Sequence, residues 1–284
     1  GTVAVFAGPA AAFVQGLPVY PLLGVIEVLV PYRPSSRSRA LPPLRWADGT
    51  VVAGVDMRRR QMWRGLVDEV SPEVELAYVA DAAWSAAHVH PISAFVIASA
   101  VYRQLSAFDR DDPEGSRTRE NVVRDRALEA ARVQDGRVNS RSQVEWILRN
   151  ADAGCESPGE SRTLFALRGR GVIGQVTQRR IVVRGRTRYV DICNDKARVA
   201  TEYEGETKDG ATVGDVHEAQ AEREQRDLEL RSVGWAVVHV RKRAVGDGDR
   251  LLADHQAVAR GPLSIDPASA FPGIRQLNGR PNRW

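Results

Sequence analysis

Residues 188–205 have the sequence RYVDICNDKARVATEYEG, which predicts two β-strands joined by the polar turn 193–196. Strands joined this closely pair antiparallel, so Asp191 of the first strand would meet Glu202 of the second. Carboxylates on neighbouring strands can hold Mg²⁺, which usually keeps several waters and binds through one or two carboxylates plus a substrate phosphate. The stretch therefore predicts a divalent-cation site and points to nucleic acid as the substrate.

This stretch also resembles the metal-binding hairpin of very-short-patch-repair-like endonuclease domains, which belong to the PD-(D/E)XK nuclease superfamily. Flanking segments extend the resemblance in the same order along the chain. Upstream, residues 156–162 (ESPGESR) resemble the helix start that opens such a domain, and residues 175–178 (QVTQ) resemble its first core strand. Downstream, Arg226, Leu230 and Gly234, followed by residues 235–240 (WAVVHV), resemble its closing helix and strand.

The resemblance implies an α/β, restriction-endonuclease-like fold, in which a mixed sheet is flanked by helices. A helix is expected near 216–232, and strands are expected near 176–183, 188–193, 198–204 and 235–241. The apolar character of the last strand makes Trp235 and the valines after it core candidates. Carried over position by position, the resemblance assigns Asp191 and Glu202 to the metal ligands and Glu160 to the acidic residue of the first helix. The implied cation is Mg²⁺, with Mn²⁺ as a substitute.

Position 204 departs from the superfamily pattern. Many members carry lysine two residues after the second carboxylate, whereas this chain has Glu204. The subfamily it resembles commonly has an acid there too, followed about four residues later by histidine, where this chain has Lys208. We include Glu204 in the site and expect Lys208 and Gln178 to orient water or phosphate. The alternative for Lys208 is an ordinary surface lysine, since lysine is a poor general base unless its pKa is strongly lowered.

The predicted acids also have structural interpretations. Residues 157–160 (SPGE) match a capping box, in which Glu160 would accept a hydrogen bond from a backbone N–H at the helix start. Aspartate is unfavourable in a β-strand, so a metal-binding role would explain Asp191. The alternative interpretation is that Asp191 is a surface residue on a strand with alternating exposure. Glu202 and Glu204 share one face of their strand, so only one of them needs to bind metal, and Glu202 is the better candidate.

A cluster of arginines lies along a predicted hairpin just before Asp191, with its tip at residues 184–186. Such arginines would track a phosphate backbone beside the predicted site. The alternative is a solvated hairpin. Because residues 181–183 (IVV) are all apolar, the strand is predicted to be buried on both faces. With the closing helix, the nucleic-acid-binding candidates are Arg179, Arg184, Arg186, Arg188 and Arg226.

The composition is that of an ordinary globular protein. The chain has 284 residues, 43% hydrophobic and 27% charged, which suffices for two modest domains. Cys155 and Cys193 are too few and too isolated for a disulfide framework or a zinc site, which favours a cytoplasmic location. No apolar run approaches the ~18 residues of a membrane span, so we expect no membrane partner. The histidines lack partners at ligand spacing and are predicted to be structural: His88, His90, His217, His239 and His255.

The chain is predicted to divide into four regions. Residues 1–108 form a smaller α+β domain, with a helix at 8–18, strands at 24–30 and 50–55, and helices at 63–70 and 74–87. A polar joint with connecting helices follows at 109–152, in which 109–116 is a loop, then the endonuclease-like domain at 153–260. Residues 261–284, rich in Pro, Gly and Asn, are predicted to be poorly ordered.

The N-terminal region resembles the middle part of actinobacterial abortive-infection antitoxin-like proteins. There too a Gly-Leu-Pro helix end, here residues 16–18, precedes an apolar strand and an arginine-rich loop, here residues 33–39. The winged helix that usually comes first in those proteins has no counterpart in this sequence, so we expect no DNA binding through such a module. The resemblance implies that this region contacts a protein partner.

Three functions follow in order. The first is a Mg²⁺-dependent endodeoxyribonuclease or nickase that hydrolyses phosphodiester bonds in DNA. The second is a non-catalytic DNA-binding regulator or antitoxin-like protein that retains the nuclease fold, favoured by Glu204 in the lysine position. The third is an interaction module whose N-terminal region binds a protein. The sequence leaves the oligomeric state open.

Overall fold

The computed structural model describes residues 5–20, 25–30, 38–45, 47, 49, 51–52, 54, 56–61, 91–133, 141–205 and 213–272. The chain divides into two compact units. The first combines Gly1–Leu105 with Thr118–Ala151, and the second combines Ser106–Arg117 with Asp152–Trp284. No helix in the described part of the chain is long and apolar enough to cross a membrane.

The first unit contains a four-stranded sheet in which one strand pair is parallel. Its strands are β1 (Val5–Ala7), β2 (Val25–Val30), β3 (Ser38–Ala40) and β6 (Asp56–Gln61), in the order β1-β2-β6-β3. Strands β2 and β6 are parallel, and a separate pair joins β4 (Leu44–Arg45) to β5 (Val51–Val52). The predicted helix near 8–18 is α1 (Gly8–Val14). The sequence did not predict β6, because its three consecutive arginines hide any alternation. The helices predicted at 63–70 and 74–87 lie outside the described residues.

Three further helices follow in the chain: α2 (Pro91–Ser106), α3 (Pro113–Val133) and α4 (Arg141–Asn150). Within the first unit, the buried Tyr102 hydroxyl of α2 donates to the Leu148 carbonyl of α4 over 2.9 Å.

Helix α3 begins inside the loop predicted at 109–116, so that prediction is wrong for residues 113–116. Asp112 Oδ1 accepts a hydrogen bond from Gly115 N at 3.1 Å. Pro113 and Gly115, which suggested a loop in the sequence, lie instead in the first turn of a capped helix.

The second unit is built on a four-stranded mixed sheet flanked by helices, as predicted. Its strands are β7 (Gln175–Val183), β8 (Arg186–Asn194), β9 (Val199–Glu204) and β10 (Ala236–Arg241), in the order β10-β9-β8-β7. Neighbours β7, β8 and β9 are antiparallel, whereas β9 and β10 are parallel. The flanking helices are α5 (Pro158–Arg168), α6 (Val213–Ser232) and α7 (Gly248–Val258).

The core of this unit packs α6 against the sheet. Leu230 of α6 and Trp235 are buried with Val190, Cys193 and Ala200 of the sheet. Trp235 and its strand therefore belong to the core, as predicted.

The prediction that β7 is buried on both faces is wrong. Strand β7 lies at the edge of the sheet, and 52% of Val182 is exposed. A continuous apolar run indicates a strand buried on both faces only where other elements cover both faces of the sheet.

Residues 261–272 pack onto the second unit, so the prediction that this part of the tail is poorly ordered is wrong. Ile265 forms a β-bridge with Val172, and Asp266 N donates to Gly171 O at 2.8 Å. Phe271 is 3% exposed, with its ring centroid 5.4 Å from that of Phe165. A composition rich in Pro and Gly does not reveal a single buried aromatic anchor. Residues 273–284 lie outside the described part.

Candidate active site

Asp191 and Glu202 lie where β8 and β9 separate. The ladder between these strands ends at the pair Ile192–Thr201, and the next pair in that register would be Asp191 with Glu202. Asp191 Oδ2 instead accepts a hydrogen bond from Tyr203 N at 2.9 Å. Beyond this fork, β8 continues with β7 alone among the described strands. The two acids therefore occupy equivalent positions on adjacent strands, one residue beyond the last paired residues.

An irregularity also interrupts β7 beside the fork. The β7–β8 register would place Gln178 across from Asp191, but the ladder omits this pair and resumes at Arg179–Val190. Gln178 has a φ of 51°, in the left-handed region that non-glycine residues rarely adopt, and its side chain is buried. Backbone strain of this kind is common beside functional sites. Gln178 itself does not belong to the pocket described next.

One pocket of about 430 Å³ brings together the four acids predicted for the site. They come from the start of α5, from β8 and from β9, and α6 closes another side. Acids on three separate elements thus converge on one space. The predicted acids are Glu160, Asp191, Glu202 and Glu204, and α6 adds Glu222, Arg223, Arg226 and Asp227.

Glu160 forms the predicted capping box at the start of α5 and also lines this pocket. Its backbone N–H donates to Ser157 Oγ at 3.1 Å, and its Oε2 accepts from Glu156 N at 2.8 Å. The start of α5 lies against β9, because a Cβ on Gly159 would overlap the ring of Tyr203. The capping contacts therefore fix the Glu160 carboxyl beside the other acids, and the two interpretations of this residue are compatible.

Burial and mutual repulsion govern the ionisation of the three deepest acids. Burial, followed by repulsion from Asp191, raises the pKa of Glu202 to about 8 and the pKa of Glu160 to about 7. Burial also raises the pKa of Asp191, although the Tyr203 N–H and Arg226 oppose it. Full ionisation of this cluster requires additional positive charge, which a bound cation would supply.

Arg226 supplies part of that charge. Its Nη2 lies 3.0 Å from Glu202 Oε1, and it also donates to the Tyr189 carbonyl. Of the other arginines predicted to bind nucleic acid, only Arg188 lines the pocket, and its Nε donates to Glu229 Oε2 at 2.6 Å. The remaining ones, Arg179, Arg184 and Arg186, are exposed on the β7–β8 hairpin.

Comparison of the chain with protein-family models, with curated proteins and with solved structures finds no match. The assignment of the site therefore depends on its own geometry and chemistry.

A histidine missed by the sequence prediction lies at the mouth of the site. His239, predicted to be structural, has Nε2 at 2.9 Å from Asp227 Oδ2 and Nδ1 at 3.1 Å from Glu204 Oε1. Glu204 also pairs with Arg223 and Arg241. No local spacing reveals this arrangement, because its members come from α6, β9 and β10. The parallel register of β9 and β10 places His239 beside Glu202. Knowledge of that register would have been needed to predict His239 as a residue of the pocket.

His255, a buried histidine of this unit, has hydrogen-bond partners that fit the predicted structural role. His255 Nε2 lies 2.7 Å from Thr201 Oγ1, and its Nδ1 lies 2.7 Å from the Leu251 carbonyl oxygen. Burial lowers the pKa of His255, which favours a neutral ring held between these two groups.

The donor set fits a hard divalent cation, because carboxylate oxygens are the ligands that Mg²⁺ and Mn²⁺ prefer. Within the described ranges, no three His, Cys, Asp or Glu side chains are arranged as a ready ligand shell. The capping contacts hold Glu160, and Arg226 holds Glu202. A pair of carboxylates is sufficient for Mg²⁺ when waters and a phosphate complete its shell, and Asp191 with Glu202 provides that pair. Lys208 lies outside the described residues.

Proposed function

We propose that this chain is a Mg²⁺-dependent DNA endonuclease or nickase whose second unit has a restriction-endonuclease-like fold of the very-short-patch-repair-like type. The convergence of buried carboxylates from three elements on one open pocket carries this proposal. Buried charges in a purely structural position are normally paired, whereas these acids repel one another. Arginines on the adjoining hairpin support nucleic acid as the substrate.

In this proposal Asp191 and Glu202 hold the cation, and Glu160 completes the acidic cluster. When bound, the cation activates water and stabilises the negative charge that develops on the phosphate. A cation at Glu202 would compete with Arg226, which holds Glu202 Oε1, and a displaced guanidinium would be available to contact a phosphate oxygen. Arg188 lies in the same pocket as a second phosphate contact.

In this proposal His239 accepts a proton from the attacking water at Nδ1, which requires a neutral ring and movement of the Glu204 carboxylate away from that nitrogen. Asp227 on one ring nitrogen fixes the orientation of the imidazole, and the other nitrogen lies beside Glu204. Glu204 thus acts through His239 and does not need to bind metal. Lys208, which lies outside the described residues, keeps its predicted role in orienting water or phosphate, whereas Gln178 is given none because it does not line the pocket.

One observation favours the alternative of a non-catalytic DNA-binding regulator or antitoxin-like protein. Every predicted acid already has a partner in the structure: the α5 cap for Glu160, the Tyr203 N–H for Asp191, Arg226 for Glu202 and Arg223 for Glu204. A site of this kind remains inert if the partners are never exchanged for a cation.

Cleavage of supercoiled plasmid and single-stranded DNA in Mg²⁺ or Mn²⁺ tests the proposal. We expect metal-dependent cleavage that falls at least about 100-fold in Asp191→Asn and in Glu202→Gln, since each removes charge from the metal site. Glu218→Gln, at an exposed position of α6 outside the pocket, is the matched control and should cleave normally. Salt-dependent DNA binding without cleavage in either metal would establish the regulator instead.

A further inference from the structure

Residues 179–190 (RRIVVRGRTRYV) form a two-stranded extension of the sheet, which we call the arginine ribbon. The β7–β8 ladder continues to the pair Val183–Arg186 at the tip. Strand β9 pairs with β8 over Ile192–Asn194 and does not reach the ribbon, so no third strand among the described ones lies beside the ribbon. One face of the ribbon rests on the second unit, because Val183 and Val190 are buried and Arg188 pairs with Glu229 of α6. The ribbon also carries exposed residues, among them Arg179, Val182 and Arg184.

The tip of the ribbon is a two-residue turn between Val183 and Arg186. Arg184 and Gly185 have φ values of 50° and 78°, which match a type I′ hairpin turn, where both central residues are left-handed. A Cβ on Gly185 would meet no atom within 4 Å, so the space beside this residue is open in the described structure. The turn presents Arg184 and Arg186 outward, and Arg186 is 70% exposed.

The ribbon carries a strong excess of positive charge. It contains five arginines and no acidic residue. Only two acids pair with them among the described residues: Glu229 binds Arg188 closely and lies 3.6 Å from Arg186, and Asp195 lies 3.4 Å from Arg179. At the tip, Arg186 has an acid only at 3.6 Å, and Arg184 has no acidic partner among the described residues.

We propose that the arginine ribbon enters the major groove of double-stranded DNA, with Arg184 and Arg186 at the base edges and Arg179 and Arg180 at the phosphates. This inference rests on the proposed function, because the pocket at the base of the ribbon would receive a phosphate of the same duplex. A major groove about 12 Å wide admits a two-stranded ribbon, whereas a minor groove about 6 Å wide does not. Arginine is also the most common side chain in specific contacts with guanine.

The ribbon is poorly suited to other nucleic acids. Single strands are bound through aromatic rings on which bases stack. The only aromatic residue of the ribbon is Tyr189, whose hydroxyl donates to Asp111 and whose ring is covered by Arg110 at 4.7 Å. Double-stranded RNA has a deep, narrow major groove that side chains cannot read. The geometry therefore selects B-form duplex DNA.

The length of the ribbon sets the spacing of the two contacts. Six residues separate Asp191 from Gly185, and a rise of about 3.3 Å per residue gives roughly 20 Å. A ribbon that lay along the duplex axis would span about six base pairs at about 3.4 Å each.

Fluorescence anisotropy without divalent cations tests this inference. We expect a labelled 20-base-pair duplex to bind at least about 10-fold more tightly than the same single strand or double-stranded RNA. Arg184→Gln combined with Arg186→Gln should weaken duplex binding at least about 10-fold and reduce the slope of log K against log salt by about 2. Arg250→Gln, at an exposed position on α7 of the same unit, should leave both unchanged.

A groove competitor completes the test. The major-groove ligand methyl green should displace the protein from the duplex, whereas the minor-groove ligand distamycin should not. Equal or tighter binding to single-stranded DNA or to RNA, a double variant that binds like Arg250→Gln, or displacement by distamycin alone would overturn the inference. Because binding is measured without metal, these outcomes are separate from the cleavage result that decides the proposed function.

Discussion

The second unit buries carboxylates in two places that differ in their balance of charge. Asp152 Oδ1 lies 2.7 Å from Arg117 Nη1, and its Oδ2 lies 3.0 Å from Arg168 Nη2. Burial alone would raise the pKa of Asp152, but Arg168 and Arg117 outweigh burial and hold this pKa well below its usual range.

In the pocket, by contrast, three acids face a single close arginine, Arg226, and their pKa values are raised. The difference shows how the same residue type serves two purposes. A buried acid with its charge fully compensated holds the fold together, whereas a cluster left short of positive charge is suited to bind a cation.

The largest expected effect is on the compensated acid. Asp152→Ala should lower the free energy of unfolding by about 3–5 kcal/mol, because it leaves two guanidiniums without their buried partner. Urea denaturation followed by circular dichroism in EDTA measures this change. Asp249→Ala removes an ion pair of comparable length, 2.6 Å to Arg170, from an acid that is 68% exposed, and should cost less than about 1 kcal/mol. Equal losses of unfolding free energy in the two variants would show that the buried ion pairs of Asp152 stabilise the fold no more than an exposed one.

The pocket should give a pH dependence of stability in the absence of divalent cations. The pKa of Glu202 rises from 4.5 to about 8, so the folded protein binds a proton there that the unfolded chain has released. The free energy of unfolding should therefore fall as pH rises from about 4.5 to 8, by on the order of a few kcal/mol. Denaturation at several pH values should show a flatter curve for Glu202→Gln. A wild-type curve that is flat or rises over this range would contradict the account.

The smallest effect concerns Arg226, the arginine of the pocket that pairs with Glu202. Arg226→Gln should increase Mn²⁺ affinity about 5- to 10-fold, because Glu202 no longer exchanges a guanidinium for the metal. Arg223→Gln removes the same charge from the same pocket but frees Glu204 instead, and should change affinity less than about 2-fold. Calorimetric titration distinguishes them. Equal increases would indicate a general effect of charge and not competition at Glu202.

The sequence predicts those parts of the molecule that depend on neighbours along the chain. Alternation around residues 188–205 located the β8–β9 hairpin, and the SPGE pattern located the start of α5. Together they identified Glu160, Asp191 and Glu202, which the structure brings together.

Features set by distant partners were not predictable. His239 joins Asp227 and Glu204 only because β10 lies beside β9 and α6 covers both. The edge position of β7 depends on the order of strands in the sheet. The burial of Phe271 depends on a contact with Phe165, which is distant in the sequence.

Calorimetric titration of Mn²⁺ into the EDTA-free protein at pH 7, in two buffers of different ionisation enthalpy, tests the central claim most directly. We predict one bound ion per chain with a net release of protons, because acids whose pKa is raised must ionise to bind metal. Asp191→Asn and Glu202→Gln should each weaken binding at least about 10-fold. Absence of Mn²⁺ binding, or binding that both variants retain, would contradict a cation site in this pocket.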